Sequence, residues 1–181
     1  MDPIKCDAIE SMVSLEKILA AREHRVARQA AALAKFGMSV VSVTIVMPGP
    51  VKGGRLARRA MEVALETLDA LFDARRWLVQ SRETLWAGTG PEALYVVDAD
   101  PKTLKSVLIE LEDHHSIGRL WDLDVIGVLE GGLSRKAFGY SPRRCLVCDR
   151  PARDCGRSQR HPTYELLALI EAMVTKYDSR S

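Results

Sequence analysis

Ile109-Glu110-Leu111-Glu112-Asp113-His114-His115-Ser116-Ile117-Gly118-Arg119-Leu120-Trp121-Asp122-Leu123-Asp124-Val125 changes its period part-way along. Before Gly118 the apolar residues recur at helical spacing; after it they alternate, as on a half-buried strand. Five acids, two histidines and an arginine crowd this junction. On the strand, Asp122 and Asp124 leave one face while Trp121, Leu123 and Val125 leave the other. The two aspartates are then roughly 6.5–7 Å apart along the chain direction. That spacing suits a hard divalent cation held with its waters, which phosphate chemistry usually needs. The competing reading is the solvated face of a one-sided sheet, which alternates in the same way. Against it stand Ile126 on that same face and the convergence of Arg119, Glu112 and His115 on the junction. Continuing the helix at about 100° per residue puts His115 near the stripe of Leu104, Leu108 and Leu111, with Glu112 beside it and able to bond the imidazole. His115 is then either a core histidine satisfied by Glu112 or a general base oriented by it. His114 projects elsewhere.

The rest of the fold follows outward from this junction. Asp100-Pro101 opens its helix with an N-cap acid and an N1 proline, and Leu104, Val107, Leu108 and Leu111 form the buried stripe. The strand runs over 120–129, and Glu130-Gly131-Gly132 turns it into a short partner over 133–138. Upstream, 77–86 and 92–97 read as strands around Gly88-Thr89-Gly90-Pro91. Before them lies a β-branched strand over 40–47, covered on both faces. The loop Pro48-Gly49-Pro50-Val51-Lys52-Gly53-Gly54-Arg55 leads to a helix ending near Ala74. Strand, helix, strand, strand, helix, strand is the ferredoxin-like βαββαβ order, an α+β fold whose antiparallel sheet carries helices on one face. An extra N-terminal helical region precedes it. Asp7 and Glu10 have capping-box spacing there, Leu19, Val26, Ala30 and Leu33 recur through Phe36, Arg22, Arg25 and Arg28 form the polar side, and Gly37 closes it. A Cys/Arg/Pro-rich insert over 141–163 leads to a last helix over 163–177.

Length and charge bound the rest. The 181 residues make one domain: a helical region 1–38, an α+β core 39–140, and the insert with the final helix 141–181. A net charge of +2 from 26 basic and 24 acidic residues does not argue for a nucleic-acid coat protein, although Arg143, Arg144, Arg150, Arg153, Arg157 and Arg160 make the tail locally basic. No run reaches the ~18 apolar residues of a membrane span, and no signal peptide opens the chain. Four cysteines, three of them crowded together, do not form a secreted disulfide framework, so the expected compartment is the cytoplasm.

Two further clusters carry chemistry. The glycine loop with Lys52, Arg55, Arg58 and Arg59, at a strand-to-helix turn, is either an anion site or an ordinary solvated loop. It lacks P-loop spacing. Cys145-x2-Cys148-x6-Cys155-x5-His161 can supply a tetrahedral zinc site of three thiolates and an imidazole. The alternative is a set of reduced loop cysteines, since the second half departs from finger spacing. A structural zinc would explain how so apolar-poor an insert holds a shape. Cys6 stands apart.

From about Glu16 to the final helix the chain resembles the bacterial holo-citrate-lyase synthases, also called apo-citrate lyase phosphoribosyl-dephospho-CoA transferases. The resemblance rests on Arg28-Gln29, Leu33, Val41-Ser42-Val43-Thr44, Pro48-Gly49-Pro50-x-Lys52, Ile109-Glu110-Leu111-Glu112, His115, Gly118-Arg119-Leu120-Trp121-Asp122-Leu123-Asp124-Val125, Leu133-Ser134-Arg135, and Pro142-Arg143-Arg144-Cys145-Leu146-x-Cys148 with Cys155 and His161. It implies a nucleotidyltransferase that attaches phosphoribosyl-dephospho-CoA, a prosthetic group, to a serine of the citrate lyase acyl carrier subunit. The donor would be triphosphoribosyl-dephospho-CoA, with pyrophosphate leaving. The malonate decarboxylase counterpart is similar and carries an Asp-x-Asp pair, here Asp122 and Asp124. The Gly-Ser turn and helix usual before such acids are absent, so the fold expectation stays ferredoxin-like.

In that role Asp122 and Asp124 would hold Mg²⁺ against the triphosphate. Arg119, Lys52, Arg143 and Arg144 would neutralise phosphate oxygens, and Glu112 with His115 would position or deprotonate the serine. The arginine-rich tail would dock an acidic carrier protein. No nucleic acid or membrane partner is expected. Two rivals remain, a zinc-stabilised nucleic-acid-binding module and a non-catalytic lyase assembly factor. The first would leave Asp122 and Asp124 without a task.

Overall fold

The computed structural model describes residues 12–180; the expected Asp7/Glu10 capping box and Cys6 lie outside the described residues. The chain forms α1 (Leu15–Phe36), β1 (Ser39–Ile45), α2 (Arg55–Arg75), β2 (Leu78–Ala87), β3 (Gly90–Asp98), α3 (Pro101–His114), β4 (Trp121–Gly127), β5 (Gly131–Leu133), α4 (Ala152–Arg157) and α5 (Thr163–Asp178). Ser14 caps α1 by accepting from the Lys17 N–H at 3.3 Å, and Gly37 ends it at a left-handed φ of 62°. Asp100 caps α3 by accepting from the Thr103 N–H at 2.8 Å, with Pro101 in the first turn as the sequence predicts.

The strands make one antiparallel five-stranded sheet in the order β2-β3-β1-β4-β5. Strand alternation decides what each face carries. Val41, Val43, Tyr95, Val97, Trp121, Leu123 and Val125 enter the main core, which Leu68 and Phe72 of α2, Leu104 and Leu108 of α3 and Ile170 of α5 complete. Each such side chain contributes about 1.5–3 kcal/mol by leaving water. On the other face Val40, Leu94 and Val96 meet Leu33 and Phe36 of α1, with Ile126 packed alongside. The N-terminal helix therefore covers the face that α2 and α3 leave free.

Two expectations need correction. The partner strand predicted over 133–138 instead spans Gly131–Leu133, so two glycines expected in the turn belong to it, and β5 pairs only with Val125, Ile126 and Gly127. Ser134 accepts from the Ala137 N–H at 3.4 Å and starts a 3-10 turn over Arg135–Phe138. The chain turns there because the Arg135 guanidinium is drawn back onto Glu112 and Asp113. The insert, in turn, is not irregular throughout. Cys145 N–H donates to the Arg150 carbonyl at 2.7 Å and Ala152 N–H to that of Arg143 at 2.8 Å, so residues 143–152 close a small hairpin that leads into α4.

The early end of β5 shapes the site. The outward backbone groups of Trp121 and Leu123 have no strand beside them and need other partners. Side chains supply these. Leu123 N–H donates to Glu112 Oε1 at 2.8 Å, Lys105 Nζ donates to the Leu123 carbonyl at 2.8 Å, and Arg143 Nη1 donates to the Trp121 carbonyl at 2.7 Å. Gly118 lets α3 approach this edge, because a Cβ there would lie 2.5 Å from the Leu111 carbonyl oxygen. No helix among the described residues is long and apolar enough to cross a membrane.

Candidate active site

Asp122 and Asp124 leave β4 on the face that α1 partly covers, and the flanking Trp121, Leu123 and Val125 are fully buried on the other. Cross-strand pairing sets Thr44 opposite Asp122 and Ser42 opposite Asp124, while Thr44 also faces Glu92 on β3. Two hydroxyls and three carboxylates therefore share one patch of sheet. Burial, then the charge of Asp122, pushes the Asp124 pKa up, against the pull of Lys105 and Arg143. Asp124 also shares a recess of about 330 Å³ with Gln29 of α1.

The guanidinium of Arg143 stands where the strand edge meets this face. It lies 3.4 Å from Asp122 Oδ1, pairs with Glu112, and donates to the Trp121 carbonyl. Glu112 is only 2% exposed and also receives Arg135 Nη2 at 2.9 Å. It is a hub that ties α3, β4, the 3-10 turn and the hairpin together. Removing one member of a buried ionic network strands the others, so Glu112→Ala should cost about 3–5 kcal/mol. Urea unfolding at unchanged slope measures this; a loss under about 1 kcal/mol would remove Glu112 from that role.

The expected bond between Glu112 and His115 is not formed. His115 closes α3 with extended backbone and turns its ring onto Trp121, with centroids 4.4 Å apart, and toward Tyr177. Its Nδ1 accepts from the Ile117 N–H at 3.3 Å, and burial lowers its pKa. Trp121 and Asp122 leave opposite faces of β4, so His115 stands behind the sheet from the aspartates. Helical extrapolation through the last turn missed this because the helix ends at His114.

Three more expected residues divide between two places. Arg119 and Arg144 stand with Arg143 around a cavity of about 620 Å³ beside the hairpin. Arg119 donates to the Arg144 carbonyl; burial and the charge of Arg143 lower its pKa. Lys52 instead folds back onto the Met47 carbonyl, and burial and the nearby Arg22 lower its pKa. The other cations of its loop disperse: Arg55 reaches Glu171, Arg58 bonds the Gly53 carbonyl, and Arg59 pairs with Asp178 at 2.9 Å. Because α5 takes two of them, the loop does not gather its charge into one anion site.

Other residues on the aspartate face read in the linear pattern only as the polar side of α1. Arg25 meets Glu92 at 2.8 Å, and Arg28 pairs with the second oxygen of that carboxylate. The polar side of α1 therefore faces the sheet. The one available sign was a glutamate, Glu92, opening an otherwise apolar strand.

Cys145, Cys148, Cys155 and His161 each bring one ligand atom, all within 4.8 Å of one another. Cys148 and Cys155 sulfurs are 3.6 Å apart, and His161 Nε2 is 3.3 Å from Cys148 Sγ. Ligands on a tetrahedron of ~2.3 Å metal–sulfur bonds stand about 3.8 Å apart, so this cluster can hold a metal ion such as zinc. Glu165 Oε2 lies 3.7 Å from His161 Nδ1 and can orient the ring from behind.

Residues 13–177 match the apo-citrate lyase phosphoribosyl-dephospho-CoA transferase (CitX) family. The chain belongs to this family. The apo-citrate lyase phosphoribosyl-dephospho-CoA transferase of Escherichia coli O7:K1 is 37% identical over 92% of this chain and 91% of its own. The protein of the same name from Citrobacter koseri is 37% identical over 95% and 94%. In this member of the transferase family, Gly118, Arg119, Asp122 and Asp124 trace the path from the end of α3 across the strand edge to the α1 face. Arg135 and Arg143 meet on Glu112 beside that path.

Proposed function

We propose that this chain transfers phosphoribosyl-dephospho-CoA from triphosphoribosyl-dephospho-CoA to a serine of the acyl carrier subunit of citrate lyase, releasing pyrophosphate. The observation that carries this reading is the Asp122–Asp124 pair on one open face with the Arg143 guanidinium 3.4 Å from Asp122. The serine oxygen forms a bond to the α-phosphorus of the donor. The bond from that phosphorus to its bridging oxygen breaks, pyrophosphate leaves with the electron pair, and the hydroxyl proton passes to water. A serine is a weak nucleophile toward a polyanion, so alignment and charge neutralisation carry the catalysis. Two adjacent carboxylates with Ser42 and Thr44 hydroxyls beside them form an all-oxygen donor set of the kind Mg²⁺ prefers. Mg²⁺ held by Asp122 and Asp124 would supply Lewis-acid neutralisation of the phosphate oxygens. Arg143 would bind the same anion from the strand edge, with Lys52 near the α1 end, and Arg119 and Arg144 beyond it would bind other phosphates of the donor. Glu112 would position Arg143, and His115, stacked behind the sheet, would support Trp121.

The strand order β2-β3-β1-β4, with α2 and α3 on one face, supports a ferredoxin-like core within one domain, to which β5, α1 and the hairpin are additions. The Cys/His cluster is assigned a structural zinc, and the cytoplasm is the expected compartment. The deciding experiment mixes the protein with apo carrier protein, triphosphoribosyl donor and Mg²⁺, then weighs the carrier by mass spectrometry. A carrier heavier by one phosphoribosyl-dephospho-CoA is expected; an unmodified carrier with intact donor overturns the reading.

A further inference from the structure

We infer that the cavity between the Cys/His hairpin and the β1–α2 loop is the subsite for the pantetheine arm and adjoining diphosphate of the dephospho-CoA moiety. This rests on the transferase reading. At about 620 Å³ the space falls within the range of small-molecule sites. Its walls are mostly aliphatic, with Met47 after β1, Leu146 on the hairpin and Leu166 on α5 among them. Its charge comes from Arg119, Arg143 and Arg144.

Arg119, Arg143 and Arg144 all line this space, and their partners differ. Arg144 reaches only the outlying Asp149, at 3.2 Å, and Arg143 is committed to Glu112 and Asp122. Arg119 forms no ion pair among the described residues and instead donates to a carbonyl that the same hairpin presents. Arg119 is partly buried, and the charges of Arg143 and Arg135 oppose its own more than Asp113 relieves them, so an anion that joins it is favoured. A diphosphate supplies that anion, and planar guanidinia suit its oxygens. Arg143 touches both this cavity and Asp122, so a ligand anchored here continues directly to the aspartate face. That continuity is what a donor with an organic arm at one end and a triphosphate at the other requires.

The lining selects which arm enters. No phenylalanine, tyrosine or tryptophan faces the cavity, and its one ring, that of His161, belongs to the Cys/His cluster, so an adenine would find little to stack on. A flexible, amide-bearing aliphatic arm instead finds apolar walls with Gln159 and Thr163 as hydrogen-bonding points.

The test uses the full chain with dephospho-CoA, which lacks the triphosphoribosyl group and cannot react. With carbon-13 methyl-labelled methionine, dephospho-CoA and 4′-phosphopantetheine should both shift the Met47 signal, and 5′-AMP should not. Gly156 lines the cavity and a Cβ there meets nothing within 4 Å, so Gly156→Trp starts its bulky side chain from open space at the cavity wall. It should weaken dephospho-CoA binding by about tenfold or more at unchanged metal content. An unshifted Met47 in wild-type protein that still modifies the carrier overturns the subsite and spares the transferase reading. A shifted Met47 in protein that never modifies the carrier overturns the reading and leaves the subsite. A shift by AMP alone overturns the choice of arm.

Discussion

Asp122→Asn and Asp124→Asn should each lower the rate of carrier modification by about 10³-fold, on the scale of ~4 kcal/mol of lost transition-state electrostatics. Both changes keep the side-chain shape and remove the negative charge that an oxygen-ligated cation needs. Neither should unfold the protein, because both side chains lie outside the main core. Asp124→Asn has a second expected signature. The folded-state pKa of Asp124 is raised, so its contribution to stability is fully present below its unfolded pKa and lost as pH rises through the folded pKa. At neutral pH the ionised carboxylate therefore opposes folding, and the asparagine variant should unfold at slightly higher urea than wild type. Below that window the difference should vanish. Wild-type turnover in either variant would end the assignment of these residues to the metal; a destabilised Asp124→Asn at neutral pH would contradict the electrostatics of the face.

The junction between α3 and β4 was legible because its two periods are incompatible. A helical stripe ending at Leu111 and an alternation starting at Trp121 leave only Gly118 to turn the chain, and the close Leu111 carbonyl explains why a glycine stands there. The sides of β4 followed from the same alternation. What the pattern could not express was partnership between distant segments. Glu112 reads as a neighbour of His115 on a helical wheel, yet it turns to the strand edge because β5 is too short to cover Leu123. Arg25 and Arg28 read as a solvent side, yet they lie against Glu92, sixty-odd positions away. The loop arginines look like an anion site until α5 arrives to claim Arg55 and Arg59. In each case a charge was visible and its counter-charge lay on another element.

Removing a ligand from the Cys/His cluster should have the widest consequences. Purified protein is expected to carry about one equivalent of zinc, and Cys148→Ser less than about a tenth, with a correspondingly lower thermal midpoint. The reason is local poverty of other support. The hairpin over 143–152 is held by two cross-strand backbone bonds, and few apolar side chains lie beneath it. Metal affinity on the order of 10 kcal/mol therefore dominates its folding free energy. The loss would not stay local. Arg143 and Arg144 immediately precede the first ligand, so a slack hairpin withdraws Arg143 from the Trp121 carbonyl, Asp122 and Glu112. It also withdraws the Arg144 carbonyl from Arg119. Transfer activity should fall by about 10- to 100-fold, the usual scale when supporting contacts are lost around a site. Zinc added back to chelator-treated wild-type protein should restore both midpoint and rate, while the same addition should leave Cys148→Ser unchanged. A metal-free protein with full activity and an unaltered midpoint would show that the hairpin holds Arg143 in place by other means.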